Sequence, residues 1–96
     1  MINVIVRSAM YIAEALGSRR IEVNLDEKAD VSVLFAHLSD TYGEAFCKRI
    51  YKEDGSVKNG YFSVLLNGRN IFALDGFACT LKEGDDVVIL PVLSGG

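Results

Sequence analysis

Val87-Val88-Ile89-Leu90-Pro91-Val92-Leu93-Ser94-Gly95-Gly96 decides how the rest of this chain is read. Its four opening residues are all apolar and mostly β-branched, the composition of a short strand rather than a helix. An apolar residue at every position predicts burial on both faces, which puts the strand in the middle of its sheet. Pro91 punctuates the run, and the residues after it carry neither charge nor helical period. Two glycines close a fold poorly but present a carboxylate well, because a chain without Cβ atoms passes a narrow slot and takes backbone conformations closed to other residues. Residues 1–90 are therefore expected to form the domain, and residues 91–96 a flexible C-terminal Gly-Gly tail whose reactive group is the Gly96 carboxylate.

Upstream of that strand lies a hairpin. Phe62-Ser63-Val64-Leu65-Leu66 reads as a strand, and Asn67-Gly68 is the strongest short hairpin signal, because a type I′ turn needs positive φ at both central residues. Arg69-Asn70-Ile71-Phe72 is expected as the short return strand. Leu74, Phe77 and Leu81 are candidate core contacts in an irregular stretch, and Lys82-Glu83-Gly84-Asp85 is a turn into the last strand, with Gly84 supplying positive φ.

At the other end, Ile2 to Val6 reads as the first strand. Ser8 to Leu16 is a short helix or an ordered loop, closed by Gly17. Ile21-Glu22-Val23-Asn24-Leu25 alternates strictly, so it is a strand with one face on the core, antiparallel to the first. Asp30 is a good N-cap, and Val31, Leu34, Phe35, Leu38 and Tyr42 then recur at helical spacing up to a break at Gly43. Ala45, Phe46 and Ile50 suggest one or two further helical turns, and Asp54-Gly55 and Asn59-Gly60 bracket a polar loop. The order is strand, strand, helix, strand, short strand, strand, with one main helix covering one face of a mixed sheet. That is an α+β chain of the β-grasp, or ubiquitin-like, fold, with its first and last strands parallel and central.

Composition sets the outer limits. Ninety-six residues, half of them apolar, make one small domain. A net charge of −3 argues against a nucleic-acid partner, and Arg19-Arg20, Lys48-Arg49 and Lys52 are too scattered for a phosphate track. No apolar run reaches membrane-spanning length, and Met1 to Val6 has no signal-peptide pattern, so a cytoplasmic protein without a membrane partner is expected. Cys47 and Cys79 form no CxxC spacing, and His37 has no nucleophile or carboxylate constellation around it, so no metal site is expected. Asp85 and Asp86 are adjacent, point different ways, and read as turn residues rather than an acid/base pair. Nothing resembles a phosphate loop, so the chain should bind no cofactor of its own.

The C-terminal third carries a family signature. Val64-Leu65-Leu66-Asn67-Gly68, then Leu81-Lys82-Glu83-Gly84-Asp85-Asp86-Val87, then Leu90-Pro91-Val92-Leu93-Ser94-Gly95-Gly96 resembles the small β-grasp sulfur carriers, namely the small subunit of molybdopterin synthase and the related thiamine-biosynthesis sulfur carrier. The likeness is specific over residues 62–96 and looser over Met1 to Leu38. The length of the chain fits the molybdopterin side better, although many of those subunits have two prolines before the tail where this chain has Pro91 alone.

The resemblance implies a function. A partner adenylating enzyme, using ATP and Mg²⁺, would activate the Gly96 carboxylate, and a sulfur donor would convert it to a thiocarboxylate. Pro91, Val92, Leu93, Ser94 and Gly95 would carry it into the large subunit of molybdopterin synthase, in a heterotetramer, where sulfur passes to a pterin precursor. The chain would be a sulfur-donating subunit with no catalysis alone. Two alternatives share the tail: a ubiquitin-like modifier conjugated through Gly96, and a sulfur carrier for thiamine thiazole or another metabolite. Val92 and Leu93 have two open readings, as part of the partner-docking face or as a cap on the domain's own core.

Overall fold

A computed structural model describes residues 1–92 of the chain. The elements are β1 (Ile2–Ser8), α1 (Met10–Leu16), β2 (Arg20–Leu25), α2 (Val31–Tyr42), α3 (Glu44–Ile50), β3 (Phe62–Leu66), β4 (Arg69–Asn70) and β5 (Asp86–Pro91). They form one five-stranded sheet in the order β2-β1-β5-β3-β4. β1 and β5 run parallel with Val6 opposite Val87, while β1–β2, β3–β5 and β3–β4 are antiparallel. This is the expected α+β β-grasp arrangement, with the first and last strands adjacent at the centre.

Three helices cover one face. α2 starts where Asp30 accepts a hydrogen bond from the Val33 N–H at 2.9 Å, and it stops at Gly43, whose φ of 64° suits a residue without Cβ. α2 buries Val31, Leu34, Phe35 and Leu38; α1 adds Ile12 and Leu16, and α3 adds Phe46 and Ile50. These meet Val4, Val6, Val23, Leu25, Val64, Val87 and Ile89 from the sheet. Phe35 is the aromatic centre, with ring centroids 5.9 Å from Phe46, 6.2 Å from Phe62 and 5.2 Å from Phe77. The stretch from Ser8 to Leu16 resolves into α1, entered through Met10 at a φ of 55°.

Two expectations need correction. β5 is central but is not buried on both faces: Val87 and Ile89 are buried, while Val88 and Leu90 are only half-buried. The helices all lie on one side, so among the described residues no second layer covers the apolar residues of β5 that face the other way. The return strand is also shorter than Arg69 to Phe72. It ends at Asn70, whose side chain accepts from the Phe72 N–H at 2.9 Å and starts a 3₁₀ turn at Ile71–Ala73. The Asn67-Gly68 turn itself has both residues at positive φ, 50° and 86°.

Candidate functional site

β5 leads out of the sheet at one end. Pro91 stands opposite Phe62, and the Val92 N–H donates to the Tyr61 carbonyl at 3.0 Å. β5 runs through Pro91, and the Val92 N–H bond continues its pairing on the β3 side. Leu93, Ser94, Gly95 and Gly96 lie outside the described residues.

The ladder explains why a proline is tolerated there. Val92 and Asp86 both turn backbone groups toward the β3 side, since Val92 bonds Tyr61 and the Asp86 carbonyl accepts from Asn67 N–H at 2.8 Å. Residues of odd number, Pro91 among them, turn theirs toward β1. The last β1–β5 pair is Ser8 with Ile89, so no β1 residue remains beside Pro91 and its missing N–H breaks no ladder bond.

The start of β5 is pinned as firmly. Arg7 donates from Nε and Nη2 to the two carboxylate oxygens of Asp86 at 2.8 and 2.7 Å. That two-point contact holds the Asp86 carboxyl below its ordinary range, with a smaller push from the Arg20 charge, and raises the Arg7 guanidinium in turn. Asn67 accepts from the Asp86 N–H and donates to the Asp85 carboxylate, while Asp85 also accepts from the Lys82 N–H. Asp85 and Asp86 are thus structural: one closes the turn and the other clamps β5 to β1.

The uncovered sheet face carries the half-buried apolar residues Ile5, Val88, Leu90 and Leu65, with Leu65 opposite Val88 and Ile5 opposite Asp86. Arg7 and Asp86 border it, with Arg20 opposite Arg7. Beside the exit of β5 lies a groove of about 510 Å³ lined by Asn59, Phe62, Ser63, Asn70, Phe72 and Val92. Val92 is 42% exposed, so it does not cap the domain's own core.

The remaining candidates are bland. His37 is exposed, Cys79 is buried and Cys47 is half-buried. Among the described residues no group of His, Cys, Asp or Glu could hold a metal ion, and no helix is long and apolar enough to cross a membrane. Sequence reasoning missed the Arg7–Asp86 clamp and the groove. The clamp joins residues 79 positions apart, and its only signal was an arginine just after the first expected strand and an aspartate just before the last, in strands expected to be neighbours.

The family model of the ThiS family matches residues 11–96. Small archaeal modifier protein 3 of Haloferax volcanii is 36% identical over 83 residues, which are 86% of this chain and 87% of that one. A protein of Archaeoglobus fulgidus classed as a candidate sulfur carrier is 36% identical over 70 residues, 73% of this chain and 77% of its own. Among solved structures, small archaeal modifier protein 1 of Methanosarcina acetivorans superposes with a TM-score of 0.79 at 31% identity, covering 100% of this chain and 98% of its own.

Proposed function

Because this chain belongs to the ThiS family, we propose that it carries sulfur as a thiocarboxylate on Gly96. At the coarser level it is a β-grasp protein of the sulfur-carrier and ubiquitin-like modifier type. The observation that carries the finer reading is the path of β5. The central strand stays in register through Pro91, is tied to Tyr61 at Val92, and then continues in sequence as Leu93-Ser94-Gly95-Gly96.

The chemistry follows from the weakness of a carboxylate as an acyl donor. An oxygen of the Gly96 carboxylate attacks the α-phosphorus of ATP, the α–β bridging bond breaks, and pyrophosphate leaves. Hydrosulfide, or a donor equivalent to it, adds to the acyl carbon, and AMP leaves with the bonding pair of the acyl–oxygen bond. The product is a thiocarboxylate. ATP and Mg²⁺ belong to the adenylating partner; this chain supplies the acyl group and the body that docks. Pro91, Val92, Leu93, Ser94 and Gly95 form the segment that enters the partner. The acceptor we favour is the pterin precursor of molybdopterin, reached through the large synthase subunit in a heterotetramer. The support is the resemblance of residues 62–96 to those small subunits.

A second reading has its own observation. The relative in Haloferax volcanii is a small archaeal modifier, which favours conjugation of Gly96 to lysine amines of other proteins. The two are separated by the product. The full chain is incubated with the adenylating enzyme of the same organism, ATP, Mg²⁺ and sulfide, and weighed intact. Sulfur carriage requires the mass gain of sulfur replacing one oxygen, lost on deletion of Gly96. Absence of that gain, with Gly96-dependent conjugates in cells, leaves the modifier reading standing alone.

A further inference from the structure

The dipeptide Asn-Gly occurs twice in this chain, at Asn59-Gly60 and Asn67-Gly68, and the fold treats the two in opposite ways. Asn67 is held at three points. Its Nδ2 donates to the Asp85 carboxylate at 3.0 Å, its Oδ1 accepts from the Asp86 N–H at 2.9 Å, and its own N–H donates to the Asp86 carbonyl at 2.8 Å. Asn59 is exposed, in the loop between α3 and β3. The side-chain bonds that order this loop join Asp54 to Ser56 and Lys58 to the Lys48 carbonyl, and among the described residues none holds the Asn59 amide. The N–H groups on either side of Gly60 are used: Asn59 donates to Val57 at 2.9 Å and Tyr61 to Lys58 at 3.1 Å. They fold a turn with Gly60 at a φ of 87°, and the Gly60 N–H has no partner among the described residues. An asparagine side chain meets the next backbone nitrogen most easily when that residue is glycine, because no Cβ stands in the way.

We propose that Asn59 is a site of spontaneous deamidation through a cyclic imide with Gly60, and that Asn67, in the same dipeptide, is protected by its hydrogen bonds. The Gly60 backbone nitrogen attacks Asn59 Cγ and gives up its proton. The bond from Cγ to the side-chain nitrogen breaks, and ammonia leaves with that proton. Water then opens the imide. Cleavage between the nitrogen and Cγ gives aspartate, and cleavage between the nitrogen and the main-chain carbonyl carbon gives isoaspartate, with the backbone rerouted through Cβ. An exposed loop outside the sheet and helices opens at little cost, so Asn59 reaches the imide geometry from the native state. Asn67 must first release the Asp85 carboxylate and the Asp86 N–H, and the bond to a charged partner alone slows it roughly tenfold or more. Asn59 also lines the groove beside the exit of β5, where no other lining residue is charged. Conversion therefore marks an ageing copy with a carboxylate next to the strand that leads into the C-terminal tail.

The test is ageing of the full-length chain in mildly alkaline buffer, followed by anion-exchange chromatography and by peptide mapping with mass spectrometry after a short acidic-side digestion. Trypsin cuts after Lys58 and Arg69, so a single peptide, residues 59–69, carries both asparagines and each is the other's control. Fragmentation assigns the mass gain of NH₂ replaced by OH to one site or the other and separates aspartate from isoaspartate. In native protein a more acidic species should grow in, with Asn59 converting roughly tenfold or more faster than Asn67. In urea the two should convert at similar rates, because only the shared dipeptide remains. Asp85→Ala removes the acceptor for the Asn67 amide and should speed Asn67 while leaving Asn59 unchanged. If Asp85→Ala does not fold, the wild-type ratio with and without urea decides. Equal native rates at the two sites overturn the proposal, as does an Asn59 that converts far more slowly in the native protein than in urea. A folded Asp85→Ala protein with an unchanged Asn67 rate overturns protection by that hydrogen bond.

Discussion

The two faces of β5 should respond very differently to truncation. Ile89 is fully buried under the helices, and Leu90, its neighbour on the strand, is half-buried on the open face. Ile89→Ala deletes three carbons from a closed site. At about 0.8 kcal/mol per methylene the transfer loss is roughly 2.4 kcal/mol, and the residual cavity brings the total to about 3–4 kcal/mol. Leu90→Ser loses only part of the burial of one leucine, about 1 kcal/mol, because solvent already reaches that face. For 96 residues the unfolding entropy is about 0.2 kcal/mol per kelvin near 60 °C. The midpoints should therefore fall by about 15 °C for Ile89→Ala and about 5 °C for Leu90→Ser. Thermal and urea unfolding followed by far-UV circular dichroism measure the midpoints and the free energies, and the chain has no tryptophan to serve as a probe. The slopes with denaturant should match wild type, since the area exposed on unfolding barely changes. Leu90→Ser as destabilising as Ile89→Ala would refute the one-sided core and would make the open face a second packing layer.

Three further outcomes follow from local geometry. Asp30→Ala removes the acceptor for the Val33 N–H at the start of α2 and should cost about 1 kcal/mol in urea unfolding, while Asp30→Ser recovers most of it. Met10→Gly relieves a left-handed φ of 55° at an exposed position and should stabilise by up to about 1 kcal/mol, the strain relieved being partly offset by glycine entropy. Asp86 and Asp30 have folded-state pKa values lowered, by Arg7 and by Ser32 with Val33 respectively. Their stabilisation is complete above the unfolded carboxylate value of about 3.9 and is lost as pH falls through the lower folded values. The urea midpoint should thus drop on acidification below about pH 4, and Asp86→Asn should flatten part of that drop.

Much of this molecule could be read before its structure, for reasons that attach to particular residues. The Asn67-Gly68 turn, the Asp30 cap and the Gly43 stop are local signals, decided by backbone sterics within four residues, and each stands where the sequence put it. The central place of β5 was legible from Val87 to Leu90, but its burial on two faces was not. Hydropathy reports that a residue is apolar, and only the number of covering layers decides whether both faces are covered. The return strand failed for a comparable reason. Asn70 offered its side chain to Phe72 N–H, and that local bond outcompeted a ladder extension into Ile71. The sulfur-carrier likeness rested on the final third of the chain, and the family match extends it to residues 11–96. The groove was invisible because Asn59, Ser63, Phe72 and Val92 come from three separate segments, and no periodicity links them.

The central position of β5 has a consequence for synthesis. β5 pairs with β1 on one side and β3 on the other, and without it the sheet is two disconnected hairpins, β1–β2 and β3–β4. Partners such as Val6 and Val87 are 81 positions apart, so a chain emerging from the ribosome at about 5–20 residues per second holds its first strand unpaired on that edge for seconds. On the proposed function, the segment that closes the sheet is continuous with the one that would bear the reacting group. Completion of the body and presentation of the tail are then one event, and an enzyme that grips the finished surface would discriminate against nascent and truncated chains with no separate checkpoint.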